Sequence, residues 1–242
     1  MSQSQAKHQA LPTNLLFNRN FVLLLCAYAV SAMGDHLSEM AILKTQDAAS
    51  SNVDVTPMMA RITFMFFLPF FILAPVAGGL ADRFSRRGLM VTSDVVRFVI
   101  MLFFGSLVSF TAGWGTWGVF SPLLLIGAFA AIFSPARSAL LPTIIRDDQL
   151  VRANALLSGL GIISTMIAAV VGGYLAEHYA PIIAFRADAA TFMLSGMFLL
   201  AMKPPRGQAS GAGTGPSAER PEFGLRELGA GVRYVRSHRH VK

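Results

Sequence analysis

The 242-residue sequence has few charged residues and almost no cysteine. Asp, Glu, Lys and Arg make up 14% of the chain, whereas soluble globular proteins carry about 25%. The single cysteine, Cys26, excludes an intrachain disulfide, and we interpret it as a small apolar side chain within a hydrophobic stretch. Hydrophobic residues reach 54% of the chain, more than a soluble core of this length needs. The composition therefore indicates a membrane protein.

The sequence also lacks the motifs of enzymes, metal sites and ion channels. It contains no nucleotide-phosphate or zinc motif, and Ser158-Gly159 lacks the flanking glycine expected of an intramembrane serine protease. No selectivity element of an ion channel is visible. The first 20 residues are polar and the first apolar run is long enough to span a membrane, so no cleavable signal peptide is predicted. We predict no enzyme activity, no catalytic residues, no metal and no cofactor.

Six apolar segments account for most of the chain. Each reaches the roughly 20 residues that a helix needs to cross a hydrocarbon core about 30 Å thick. The sequence thus predicts an all-α membrane protein with six transmembrane helices, at residues 20–43, 58–81, 89–111, 117–140, 153–176 and 182–202.

The basic residues are distributed unevenly between the two sides of this predicted bundle. One side, which holds both termini, the second loop and the fourth loop, has 16 of the 20 Lys and Arg residues. Arg137 is counted there, close to the fourth loop. Because cytoplasmic loops carry the excess of Lys and Arg, we predict a multi-pass protein of the plasma (inner) membrane with both termini cytoplasmic. The net charge of +7 is then a topology signal, and we expect no nucleic-acid partner.

The predicted domains follow from these segments. Residues 1–19 form a cytoplasmic N-terminus and residues 20–202 the transmembrane bundle. Residues 203–221 are rich in Gly, Pro, Ala and Ser, which is the composition of a flexible linker. In residues 222–242, apolar side chains recur at helical spacing between arginines, which predicts a basic amphipathic helix on the inner membrane surface and a truncated central loop.

The two halves of the bundle share a pattern at an offset of 94 residues. Gly78-Gly79 near the end of the second span corresponds to Gly172-Gly173 near the end of the fifth, and Asp94 corresponds to Asp188. Because the second and fifth spans run in opposite directions, this offset predicts two inverted three-helix repeats.

The loop between the second and third spans carries a recognisable motif, Gly78-x-Leu80-Ala81-Asp82-Arg83-x-x-Arg86-Arg87. It resembles the signature loop of the major facilitator superfamily. Within that superfamily the chain is similar to the branch of macrolide, siderophore and lysophospholipid exporters, through Ser31-Ala32-Met33-Gly34-Asp35, Ser134-Pro135-Ala136-Arg137 and Leu150-Val151-x-Ala153-Asn154. The family has twelve spans, so the chain resembles an N-terminal six-helix half with its central linker. The expected partners are the missing C-terminal half, or a second copy, and the lipid bilayer.

The loop residues Gly78, Asp82, Arg83, Arg86 and Arg87 are predicted to form a cytoplasmic gate. Gly78 would allow two helices to approach closely. Asp82 would accept from a neighbouring helix N-terminus or pair with Arg86 or Arg87. The alternative is a basic loop that only orients the protein.

Charged residues inside the spans are the other candidate site, because each costs at least a few kcal/mol in the membrane. Asp35 and Glu39 lie four residues apart on one face of the first span and are predicted to handle protons or substrate. The alternatives are a polar contact for Asp35 and an interface position for Glu39. Asp94 and Arg97 are predicted to pair near the cytoplasmic end of the third span and to support the Asp82 cluster.

The resemblance implies a secondary transporter that works by alternating access. We expect proton-coupled efflux of an amphipathic small molecule such as a drug, macrolide or siderophore. The alternatives are a lysophospholipid flippase of the same superfamily and an inactive half-transporter. Leu123 replaces the arginine of many drug/proton antiporters and Ala168-Ala169 replaces their Gly-Pro, which argues against their standard mechanism. The phenylalanines between residues 64 and 71 are interpreted as packing or lipid-facing bulk, with a substrate wall as the alternative.

Overall fold

The computed structural model describes residues 14–49, 55–107 and 115–203 and shows a helical bundle. Within these ranges no strand is present, which confirms the all-α prediction. The six long helices are α1 Arg19–Ala49, α2 Val55–Arg83, α3 Arg86–Leu107, α4 Gly115–Ile144, α5 Leu150–His178 and α6 Pro181–Ala201. Two short 3-10 helices, Leu15–Phe17 and Asp147–Gln149, precede α1 and α5. The predicted linker from residue 204 onward and the predicted amphipathic helix lie outside the described residues.

Five of the six helices have the length and apolar composition of a membrane span, which establishes a multi-pass membrane protein. These five are α1, α2, α4, α5 and α6. The third helix is not among them, and its described part carries four charged residues, Arg86, Arg87, Asp94 and Arg97. The prediction of six spans is therefore supported by composition for five helices.

Local sequence explains where several helices begin and end. Only Phe84 and Ser85 separate α2 from α3, and the amide of Leu89 donates to the Ser85 carbonyl 2.9 Å away to start α3. Pro181 opens α6, where its missing amide hydrogen and fixed φ suit the first turn of a helix. The preceding residue, Ala180, is extended, as expected before a proline.

The helix contacts fit the predicted inverted repeat. Helix α1 packs against α5 and α6, α4 packs against α2 and α3, and α3 packs against α6. Exchanging α1, α2 and α3 with α4, α5 and α6, respectively, converts the first four contacts into one another and maps the contact of α3 with α6 onto itself. Under this exchange Asp94 on α3 is equivalent to Asp188 on α6, and both side chains are fully buried.

Close helix approaches occur at glycines that the sequence analysis did not select. A Cβ on Gly127 of α4 would collide with the backbone oxygen of Phe66 on α2. A Cβ on Gly161 of α5 would lie 2.6 Å from the Tyr28 hydroxyl of α1. No described residue lies within 4 Å of a Cβ built on Gly78, so the close helix approach predicted there stays a prediction.

Candidate functional site

A buried arginine on α3 joins two carboxylates from different helices. The Arg97 side chain is 1% exposed, and its Nη1 lies 2.8 Å from Asp35 Oδ1 on α1. Its Nη2 lies 2.5 Å from Asp94 Oδ1, one turn earlier on α3. Nη2 also donates to the Ser31 hydroxyl on α1, 3.0 Å away. Arg97 therefore links α1 to α3 through charge-assisted hydrogen bonds, which are stronger than neutral ones.

The same cluster extends to α6 through Asp94. The Ser195 hydroxyl donates to Asp94 Oδ2 at 2.6 Å, and the Ser31 hydroxyl lies 3.3 Å from Oδ1. Phe192 and Phe133 enclose the Arg97 guanidinium, whose carbon lies 4.5 Å and 5.0 Å from the two ring centroids. A buried ion pair is tolerated only when further hydrogen bonds satisfy its atoms. We call Ser31, Asp35, Asp94, Arg97 and Ser195 the charge cluster.

The structure forms the predicted pair of Asp94 and Arg97 and adds a contact of Arg97 with Asp35. The predicted third span began at residue 89, whereas α3 begins at Arg86, so Arg97 stands about 16 Å along its helix at 1.5 Å per residue. Its long side chain then reaches Asp35. The sequence did not reveal this contact, because its pattern paired Asp35 with Glu39 on the first span and Arg97 with Asp94 near the cytoplasmic end of the third span.

A cavity of about 440 Å³ opens between five of the helices. Asp35 and Arg97 of the charge cluster lie on its wall. Phe66, Phe67 and Phe70 of α2 line another part, so these phenylalanines face the cavity instead of serving only as packing or lipid-facing bulk. The remaining polar lining residues are Tyr28, Ser31, His36, Ser134, Arg137, Ser158 and Thr165. The cavity thus combines an aromatic wall with charged and hydroxyl groups, which suits an amphipathic ligand.

Arg137 is a second cavity arginine, and the sequence analysis treated it only as a loop charge. Arg137 lay three residues inside the predicted end of the fourth span at residue 140, and because α4 continues to Ile144 it stands two turns before the end of the helix. The Arg137 guanidinium carbon lies 4.0 Å from the centroid of the Tyr28 ring on α1. Its position three residues before the predicted end of the span was the only signal for this placement.

The residues of the predicted gate lie at the junction of α2 and α3. Arg83 ends α2 and is exposed, whereas Arg86 and Arg87 begin α3 and are partly buried. Arg87 Nε donates to the Leu199 carbonyl at 2.7 Å and Nη2 to the Leu200 carbonyl at 2.6 Å. These are carbonyls of the last turn of α6, where a cation is favoured by the helix dipole.

Two predicted site residues have side chains outside the described set. Asp82 lies in the last turn of α2, and Glu39 lies one turn after Asp35 on α1. Their proposed roles in the gate and in proton handling stay predictions. Within the described part of the chain, no group of three or more His, Cys, Asp or Glu side chains is arranged to hold a metal ion.

Comparison with known proteins identifies the family. Residues 21–240 match the model of the Major Facilitator Superfamily. The chain belongs to this superfamily. The sequence-based recognition is confirmed, and the superfamily is one of transporters, which confirms that the chain is not an enzyme.

The relatives of this superfamily member include several proteins named lysophospholipid transporter LplT. The one from Cronobacter sakazakii is 30% identical over 171 residues, which cover 69% of this chain and 39% of that protein. Those from Yersinia enterocolitica and Serratia proteamaculans are 28% and 29% identical over 179 and 178 residues, or 71% and 70% of this chain. The chain thus spans about 39% of the length of the relatives it matches. No solved structure matches it significantly.

Proposed function

We propose that this chain forms part of a secondary active transporter that moves an amphipathic small molecule out across the bacterial inner membrane in exchange for protons. The charge cluster carries this proposal, because one arginine is shared between a cavity carboxylate and a buried one. Arg97 lies between Asp35, whose side chain is 19% exposed, and Asp94, which is 0% exposed. Asp35 is therefore the carboxylate of the cluster that is open to water, protons and substrate.

Protonation of Asp35 is proposed to weaken the link between α1 and α3. A neutral carboxyl group no longer attracts Arg97 by charge, whereas Asp94 beside it on α3 keeps the arginine paired. Helix α1 would then be held to α3 and α6 mainly by hydroxyl groups and packing. Glu39, one turn further along α1, is proposed as a second proton carrier. Alternating access needs an equilibrium of this kind that a ligand can bias.

The working unit and its orientation are also proposed. Major facilitator proteins place their substrate between two six-helix units, so a C-terminal half, or a second copy of this chain, would complete the cavity. Both termini are proposed to be cytoplasmic, with Asp82, Arg83, Arg86 and Arg87 at the inner ends of α2 and α3. In this arrangement the loop at Gly78 faces the second unit and acts as the gate.

Lysophospholipid flipping is the second candidate function. It is favoured by the names of the relatives, which are lysophospholipid transporters, and by the position of Phe66, Phe67 and Phe70 on one cavity wall. An acyl chain could lie against these rings while the headgroup contacts the polar lining. The two candidates share the cavity and differ in the tail and headgroup of the substrate.

Asp35→Asn tests proton coupling in the transporter that contains this chain. The measurement is transport of a fluorescent amphipathic dye or a labelled lysophospholipid into inverted vesicles, driven by an imposed pH gradient. We expect the gradient-driven rate to fall at least about tenfold, equivalent to 1.4 kcal/mol, while the amount of protein in the membrane stays the same. Which of the two substrates moves decides between the candidates.

Asp148→Asn is the matched control for this experiment. Asp148 has a side chain that is 64% exposed and pairs with Arg146 at the end of α4. Its neutralisation removes the same charge far from the cavity and should leave transport unchanged. Gradient-driven transport by Asp35→Asn at the rate of the unmodified protein would exclude Asp35 as the coupling carboxylate.

A further inference from the structure

Arg137 differs from Arg97 in having no acidic partner among the described residues. Its Nη1 atom is fully buried without a hydrogen-bond partner in this part of the structure, and its contact is with the face of the Tyr28 ring. Buried polar atoms of native proteins are nearly all hydrogen-bonded, so an exception needs an explanation. A half-buried arginine that is stacked on a ring and lines a cavity is explained by a ligand that supplies the acceptor.

The groups around Arg137 suit a negatively charged ligand. Ser134 lies one helical turn before it on α4, and Ser158 lines the same cavity from α5. Both hydroxyls can donate a hydrogen bond, and so can the Tyr28 hydroxyl. An arginine guanidinium binds phosphate and carboxylate groups through two parallel hydrogen bonds, which a lysine cannot do. The wall of Phe66, Phe67 and Phe70 offers an apolar surface in the same cavity.

The Tyr28 ring fixes the position of the guanidinium. Stacking on an aromatic face stabilises a cation without neutralising it, so the full positive charge of Arg137 remains available to a ligand. Gly161 on α5 permits this arrangement, because a Cβ there would lie 2.6 Å from the Tyr28 hydroxyl. The arginine is thus held in place before any ligand arrives, which lowers the entropy lost on binding.

We propose that Arg137 binds the anionic headgroup, phosphate or carboxylate, of an amphipathic ligand whose apolar part lies along the phenylalanine wall. This inference rests on the proposed transport function and names the chemistry of the substrate. Tyr28 is a positioning residue that orients the guanidinium. Asp35 and Arg97 belong to a separate, charge-compensated cluster on the same cavity.

Binding to the 242-residue chain in lipid nanodiscs of zwitterionic lipid tests the proposal. Octyl phosphate and octyl glucoside share a tail and differ in headgroup charge, so isothermal titration below their micelle concentrations isolates the charge. We expect octyl phosphate to bind at least about tenfold more tightly than octyl glucoside, a difference typical of a charge-assisted contact. Arg137→Gln should reduce the affinity for octyl phosphate to that for octyl glucoside and leave the latter unchanged.

Further variants separate binding from folding. Arg146→Gln, which neutralises an arginine at the end of α4 that is paired with Asp148, should bind both probes as the unmodified chain does. Arg137→Gln should not lower the melting temperature, because it removes a half-buried charge that no described acid compensates. If Arg137→Gln fails to fold, Arg137→Lys takes its place in the test. Its affinity for octyl phosphate should lie between the affinities of the unmodified chain for octyl phosphate and for octyl glucoside.

Several outcomes would overturn the proposal. Equal affinity of the unmodified chain for the two octyl probes would do so, and so would undiminished octyl phosphate binding by Arg137→Gln or Arg137→Lys. Inorganic phosphate that binds as tightly as octyl phosphate would identify a site for free anions and exclude the headgroup assignment. Failure of the proton-coupling proposal can be distinguished from failure of the headgroup proposal. Asp35→Asn retains Arg137 and should bind octyl phosphate at least as tightly as the unmodified chain.

Discussion

Single residues with two partners link separate helices of this bundle. Arg97 contacts Asp35 and Asp94 at once, and the two carboxylates belong to different helices. The sequence permitted prediction of the pair of Asp94 and Arg97, because residues three apart share a helix face. It did not permit prediction of the contact with Asp35, since that depends on the relative depth of α1 and α3. Likewise, Arg137 resembled a loop charge until the end of α4 was known.

Arg97→Gln should destabilise the bundle. The change leaves Asp94 fully buried without its counter-charge, and removing one partner of a buried pair costs about 3–5 kcal/mol. The measurement is the thermal stability of the purified chain in detergent. Arg61→Gln, at an exposed position on α2, is the control and should have little effect. The double variant Asp94→Asn with Arg97→Gln should recover part of the loss, and an unchanged melting temperature for Arg97→Gln would contradict the assigned pairing.

The helices themselves were largely predictable from hydropathy. All six predicted starts lie within three residues of the observed ones, and the largest difference at a helix end is that of α1, which continues from residue 43 to Ala49. Long apolar runs and breaks such as Phe84-Ser85 and Ala180-Pro181 carry this information locally. Contacts between helices do not, because they depend on rotation about each axis. Gly78 was therefore selected from its motif, whereas Gly127 and Gly161 make the close approaches.

Gly127→Ala should disrupt the packing of α4 on α2. Its Cβ would meet the backbone oxygen of Phe66, which cannot rotate away, and overpacking typically costs about 1–3 kcal/mol. Gly159→Ala on α5 is the matched control, because nothing described lies within 4 Å of its Cβ and alanine favours a helix by about 0.5–1 kcal/mol. Thermal unfolding in detergent should show a lower midpoint for Gly127→Ala and an equal or higher one for Gly159→Ala. Equal midpoints for the two variants would show that α2 can move aside.

The whole molecule combines an internal symmetry with an open cavity. The exchange of helices 1–3 with helices 4–6 preserves the helix contacts, in agreement with the offset that relates Asp94 to Asp188 in the sequence. The symmetry could be anticipated from repeated glycines and aspartates. The cavity could not be anticipated, because its wall takes side chains from five helices and no single segment of the sequence predicts it.

The proposed orientation in the membrane can be tested by labelling single introduced cysteines. Cys26 is the one cysteine in the chain, so Cys26→Ala provides a background without thiols. Ser85→Cys lies at the exposed junction of α2 and α3, and Ala180→Cys lies at the exposed junction of α5 and α6. In intact cells a membrane-impermeant maleimide should label Ala180→Cys, whereas Ser85→Cys should react only after permeabilisation. The reverse pattern would place the basic loop outside and reject the positive-inside assignment.

The buried charges of α3 also constrain how the chain enters the membrane. Asp94 and Arg97 would each cost about 2.5–3.5 kcal/mol at the centre of an isolated helix during insertion. On α1, Asp35 and Ser31 receive Arg97 and so offset part of this cost. We therefore expect α3 to insert more efficiently when α1 is already present, so that the two helices enter the membrane cooperatively.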